Sequence, residues 1–105
     1  MVSVGILGTG TALPEKVLTN HDLEKMVETS DQWITERTGI KERRQAGPNE
    51  TTSMLSVQAA RKALEMAGLK PTDLDLIICS TISPDMPLPS TAAFIQLDLG
   101  ARACC

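Results

Sequence analysis

Trp33 and Arg37 stand four residues apart, a spacing that places both side chains on one face of a helix. An indole can stack on a flat base while a guanidinium holds a phosphate, so the pair has the chemistry to grip a nucleotide. The same two types also suit a core tryptophan beside a surface salt bridge, because tryptophans are mostly buried. Spacing alone leaves both readings open. The other chemically capable residues point to little. His21 falls in the first turn of a helix beside Asp22 and Glu24, which is a solvated helix start more than an acid–base pair. Cys79 lies inside an apolar run, where a thiol behaves as a small inert hydrophobe. Cys104 and Cys105 are adjacent, no CxxC spacing exists and His21 is the only histidine, so neither a disulfide framework, a metal site nor an activated thiol is expected. Gly8 and Gly10 follow an apolar run as in a dinucleotide fingerprint, yet Leu13 and Pro14 replace the third glycine and the helix that such a site needs. A tight turn is the expectation there.

The elements that must carry these residues follow from periodicity and punctuation. Val2 to Leu7 is a short apolar, β-branched run that reads as a buried strand. Asn20 is placed to cap a short helix bearing Leu23, Met26 and Val27. Thr29 with Gln32 forms a capping box that opens a second helix, the carrier of Trp33, Ile34 and Arg37, and Gly39 ends it. Lys41 to Arg44 is a basic connection and Gln45 to Glu50 a loop. Thr51 or Thr52 caps the longest helix, whose inner stripe is Val57, Ala60, Leu64 and Ala67 and whose stop is Gly68. Leu76 to Cys79 reads as a strand buried on both faces, as in parallel sheets covered by helices. Ser83 to Pro89 holds three prolines and must be an ordered loop, and a last helix runs from near Ser90 to Gly100.

Residues 1–105 allow one domain, and 42% apolar with 22% charged residues is the composition of a folded chain. One Trp, one Phe and no Tyr make its core aliphatic. A net charge of −3 speaks against a partner recognised through a phosphate backbone, so nucleic acid is not expected. No apolar run reaches the roughly 20 residues of a membrane span and no signal peptide is evident, so the expected compartment is the cytoplasm, with reduced thiols.

Longer runs are more specific than any single pair. Thr19-Asn20-His21-Asp22-Leu23-Glu24, Thr29-Ser30-Asp31-Gln32-Trp33-Ile34, Arg37-Thr38-Gly39-Ile40 and Pro48-Asn49-Glu50-Thr51 closely resemble the start of β-ketoacyl-acyl carrier protein synthase III, a condensing enzyme of bacterial fatty acid synthesis. Gly8-Thr9-Gly10, Leu13-Pro14 and Pro89-Ser90 fit the same pattern, so the resemblance runs from end to end.

The resemblance implies an α/β fold, the partial N-terminal half of a thiolase-like layered α-β-α-β-α architecture, with residues 1–105 as an incomplete N-terminal domain. It implies an acyltransferase that loads an acyl group from acyl-CoA, acetyl-CoA first among them, and condenses it with malonyl-acyl carrier protein. Such enzymes work as homodimers without a metal or redox cofactor, the coenzyme A thioester being a substrate. Thr29, Trp33 and Arg37 match residues at the coenzyme A site, the Trp stacking on adenine and the Arg reaching phosphate. Leu88 stands where several members carry an aromatic residue lining the acyl pocket from the neighbouring subunit. No catalytic residue matches: Cys104, Cys105 and His21 do not occupy the nucleophile or histidine positions. The chain is therefore expected to be an N-terminal segment, inactive alone. The alternatives are a truncated interaction module, or a sister enzyme of polyketide-starter or hydroxymethylglutaryl-CoA type.

Overall fold

The computed structural model describes residues 2–102, which form two compact units, one of residues 13–49 and one of residues 2–12 with 50–102.

In the unit of residues 13–49, β1 (Val17–Thr19) pairs antiparallel with β2 (Glu42–Arg44) in the register Val17 to Arg44, Leu18 to Arg43 and Thr19 to Glu42. The basic connection expected at Lys41 to Arg44 is thus mostly strand, too short and too charged to show a period of two. Helix α1 (Asn20–Glu24) is capped by Thr19 and not by Asn20. Thr19 Oγ1 accepts the Asp22 N–H at 3.2 Å while the Asp22 carboxylate accepts the Thr19 N–H at 3.0 Å, and this reciprocal box frees Asn20 to turn inward. Helix α2 (Asp31–Thr38) is capped by Ser30, whose hydroxyl accepts the Trp33 N–H at 3.1 Å. The expected box from Thr29 to Gln32 does not form, because Gln32 Nε2 donates along the helix to Glu36 Oε1 at 2.8 Å. Gly39 closes α2 at φ 71°, the left-handed position that a side chain resists.

The other unit is built on α3 (Thr52–Ala67), capped by Thr51, and α4 (Thr91–Leu99), with a short 3₁₀ turn at Pro71–Asp73. Val57 and Leu64 of α3 and Ile95 and Leu99 of α4 are its buried core, against which Ala60, Leu74, Ile77 and Cys79 pack. Removal of each such aliphatic side chain from water stabilises the fold by about 1.5–3 kcal/mol.

The two expected strands are not strands here. Neither Val2 to Leu7 nor Leu76 to Cys79 makes a ladder with any described segment. Ile77 and Cys79 face the core while Leu76 and Ile78 are exposed, a period of two with one face covered. The run thus has one face covered where burial on both was expected, and it is not a strand, because a strand is defined by hydrogen bonds to a neighbour and no described neighbour supplies them. Val2, Val4, Ile6 and Leu7 are exposed throughout. Immediately after them, Gly8 and Gly10 press on the alanines of α3. A Cβ on Gly10 would overlap the Ala59 carbonyl oxygen and lie 2.7 Å from the Ala63 nitrogen, and one on Gly8 would overlap the Ala63 oxygen and lie 2.9 Å from the Ala67 nitrogen. These glycines serve close approach of backbone to helix, and Lys62 Nζ fastens the crossing by donating to the Thr11 carbonyl at 2.8 Å.

Candidate functional site: the outer face of the second helix

Helix α2 divides into two faces. Ile34 is its buried residue, and Asp31 and Thr35 are half-buried beside it. Trp33, Glu36 and Arg37 lie on the solvent side, and Trp33 is 56% exposed. The core-tryptophan reading fails on that number, since a large indole left this open contributes little to packing in this chain. Trp33 lines a hollow of about 260 Å³ with Glu28, Thr29 and Ser30. Arg37 sits one turn further along, exposed and without an ion pair among the described residues. Its charge also suits the carbonyl end of the helix, where the backbone dipole is negative.

The start of α2 is held from behind. Glu24 accepts the Asp31 N–H at 2.6 Å, and this bond, with a second from His21, holds the Glu24 carboxyl below its ordinary range. His21 in turn is raised above the usual imidazole value, chiefly by its 3.1 Å hydrogen bond to Glu24. His21 is solvated, and its partners are the carboxylates of its own helix and the next, so it stabilises local structure.

Thr29 and Trp33 are thus brought to one hollow, with Arg37 on the same helix face. Leu88 belongs to the other unit, on the proline loop, and is 82% exposed. That loop is tied to the start of α3: Thr52 Oγ1 donates to the Ser83 carbonyl at 2.6 Å, and Asp85 accepts both the backbone N–H and the hydroxyl of Ser53. Ser30 and Asp85 are residues that spacing alone did not single out, and Asn20 was expected only as a helix cap. A Ser three residues before Trp33 was a legible cap, whereas Asn20 and Asp85 act on partners distant in sequence. Among the described residues no three His, Cys, Asp or Glu side chains converge to hold a metal ion. Cys79 is a half-buried free thiol on the core, and Cys104 and Cys105 lie outside the described residues.

No protein-family model matches the chain. It is 63% identical over 100 residues to the β-ketoacyl-[acyl-carrier-protein] synthase III of Caldanaerobacter subterraneus subsp. tengcongensis, an alignment covering 95% of this chain and 30% of that protein. The enzyme of the same name from Thioalkalivibrio sulfidiphilus is 59% identical over 104 residues, covering 99% and 32%. Among solved structures, 3-oxoacyl-[acyl-carrier-protein] synthase III from Aquifex aeolicus VF5 superposes with a TM-score of 0.89 at 55% identity, over 94% of this chain and 32% of that one. The priming β-ketosynthase of the R1128 polyketide pathway superposes at 0.86 with 35% identity, over 92% and 30%. The chain therefore spans about a third of the length of the relatives it matches. The thiolase-like α/β expectation holds. More than half identical from end to end to proteins of one name, and folded as the same stretch of their structures, the chain belongs to the β-ketoacyl-[acyl-carrier-protein] synthase III family.

Proposed function

We propose that residues 1–105 supply the coenzyme A nucleotide grip of a condensing acyltransferase, which takes an acyl group from acyl-CoA, acetyl-CoA above all, and joins it to malonyl-acyl carrier protein to begin fatty acid synthesis. The observation that carries this reading is the exposed Trp33 indole at the hollow with Thr29, one turn from Arg37, which has no ion pair among the described residues. The indole stacks on adenine, the guanidinium takes a phosphate in charge-assisted bonds, and Thr29 closes the hollow beside the ring. In this reading the nucleophile, its histidine and its asparagine belong to other parts of the complete homodimeric synthase. The segment binds and orients the thioester, has no catalytic residue of its own, and needs no metal or redox cofactor. Leu88 reaches the acyl pocket of the partner subunit.

The test is the KM of the complete synthase for acetyl-CoA and for acetyl-pantetheine, which lacks the nucleotide. Base stacking worth about 1–3 kcal/mol predicts that Trp33→Ala raises KM for acetyl-CoA by about 5- to 150-fold. The pantetheine thioester should lose nothing. An unchanged KM for acetyl-CoA with a sharply lowered Tm would make Trp33 a structural residue instead. A polyketide-priming enzyme is the second reading, favoured by the R1128 neighbour at 35% identity, while curated relatives at 59–63% identity, named synthase III, support the first.

A further inference from the structure

Helix α2 has one buried apolar residue, Ile34, which is too little to fix how an eight-residue helix is rotated about its axis. A polar side chain does that instead. Asn20 is 1% exposed, the most deeply buried side chain described. Its Nδ2 donates to Asp31 Oδ1 at 2.8 Å and to the Ile40 carbonyl at 2.8 Å, with Thr35 Oγ1 at 3.4 Å, and its Oδ1 accepts from Arg43 Nη2 at 2.9 Å. The Asn20 backbone N–H donates to the Lys41 carbonyl at 3.1 Å. One amide therefore joins α1, both turns of the inner face of α2, the chain just past Gly39, and β2. Asp31 precedes Trp33 by two residues and Thr35 precedes Arg37 by two. At about 100° per residue the anchored pair and the outer pair lie about 200° apart, on opposite sides of α2.

We infer that Asn20 is a positioning residue for the nucleotide of coenzyme A: by gripping Asp31 and Thr35 it sets the rotation and tilt of α2, and hence where the Trp33 ring and the Arg37 guanidinium point. This rests on the reading of Trp33 and Arg37 as nucleotide contacts. An apolar stripe would allow α2 to roll by a rotamer's width, whereas directional bonds to a fully buried amide do not, because each unmade bond leaves a buried polar group unsatisfied.

The experiment is a double-mutant cycle in the complete synthase, read as KM and kcat with acetyl-CoA and acetyl-pantetheine. Asn20→Ala should raise KM for acetyl-CoA by about 10-fold, the scale of misplacing a binding group by a fraction of an ångström. It should leave kcat and the pantetheine thioester within about twofold, and on a Trp33→Ala, Arg37→Ala background its effect on KM should fall below about twofold, because two residues acting through one contact are not additive. Equal losses with both thioesters, or a full effect on the double-alanine background, would overturn the inference. If the Trp33→Ala, Arg37→Ala protein itself binds acetyl-CoA normally, the fault lies in the nucleotide reading and not in Asn20. Should Asn20→Ala fail to fold, Thr35→Val, which removes one spoke and keeps side-chain shape, decides: about a twofold rise in KM confined to acetyl-CoA supports positioning. No change, or an equal loss with the pantetheine thioester, refutes it.

Discussion

Asp85 reaches from the proline loop to Ser53 in the first turn of α3, accepting its backbone N–H at 2.9 Å and its hydroxyl as well. The carboxylate acts as a cap supplied from 32 residues away, satisfying a donor that the helix leaves free at its start. Those bonds, the Ser53 hydroxyl first, hold the Asp85 carboxyl below its ordinary range. A carboxyl lowered in the folded state stabilises it above the unfolded value and loses that contribution as pH falls through the folded value. Asp85→Ala in the complete synthase should therefore lower Tm at pH 7, and the gap from the parent should close on acidification below the ordinary carboxylate range of about 4. A gap that is constant with pH would show that the Asp85 charge is not what fastens the loop.

The glycines that touch α3 yield a prediction with its own control. Gly10→Ala drives a methyl into the Ala59 carbonyl and the Ala63 nitrogen, both of them backbone and unable to step aside. Overpacking of this kind costs about 1–3 kcal/mol. Gly5→Ala meets nothing within 4 Å and should be close to neutral. Thermal denaturation of the two variants checks this, and equal shifts would mean that the crossing at Gly10 is looser than described.

Primer choice should answer to the proline loop. If Leu88 lines the acyl pocket, Leu88→Phe shortens it and shifts the ratio of kcat/KM values toward acetyl-CoA and away from longer acyl groups. Shape changes in an apolar pocket are worth about 1–3 kcal/mol, so a shift of roughly 5- to 150-fold is the scale to look for. A ratio that does not move would place Leu88 away from the substrate.

Residues 1–105 alone should not behave as a self-sufficient monomer. Val2, Val4, Ile6, Ile78, Ile82 and Leu88 are each more than four-fifths exposed, and two apolar runs have no strand partner among the described residues. Open apolar edges pair with other chains. Sedimentation at micromolar concentration should find oligomers or a partly unfolded species, and the remaining part of a synthase, added as a separate polypeptide, should restore solubility. A monomer with a sharp, cooperative thermal transition would contradict this.

Helices were legible in the sequence because their signals are local. Thr51, Gly39, Gly68 and Gly100 stop or start them as expected, and Val57 and Leu64 form the buried stripe. Caps were less secure where two polar residues compete: Thr19 over Asn20 was decided by Asp22, and Ser30 over Thr29 by which hydroxyl meets the Trp33 N–H. Strands failed for a different reason. Leu76 to Cys79 has the right composition, but strand pairing is a property of two segments, while the short ladder of Val17–Thr19 with Glu42–Arg44 has almost no apolar pattern. The outer half of the candidate site, Trp33 and Arg37, could be read from an i, i+4 spacing together with a family resemblance. Asn20 could not, since its worth lies in meeting Asp31, Ile40 and Arg43, which only folding brings together.

Trp33 is proposed to hold the nucleotide of coenzyme A. Calorimetric titration of coenzyme A and of pantetheine into the complete synthase and its Trp33→Ala variant tests it without catalysis. The expected result is a Kd for coenzyme A raised by about 5-fold or more in the variant, with pantetheine binding unaltered. Equal coenzyme A affinity in the two proteins would contradict it.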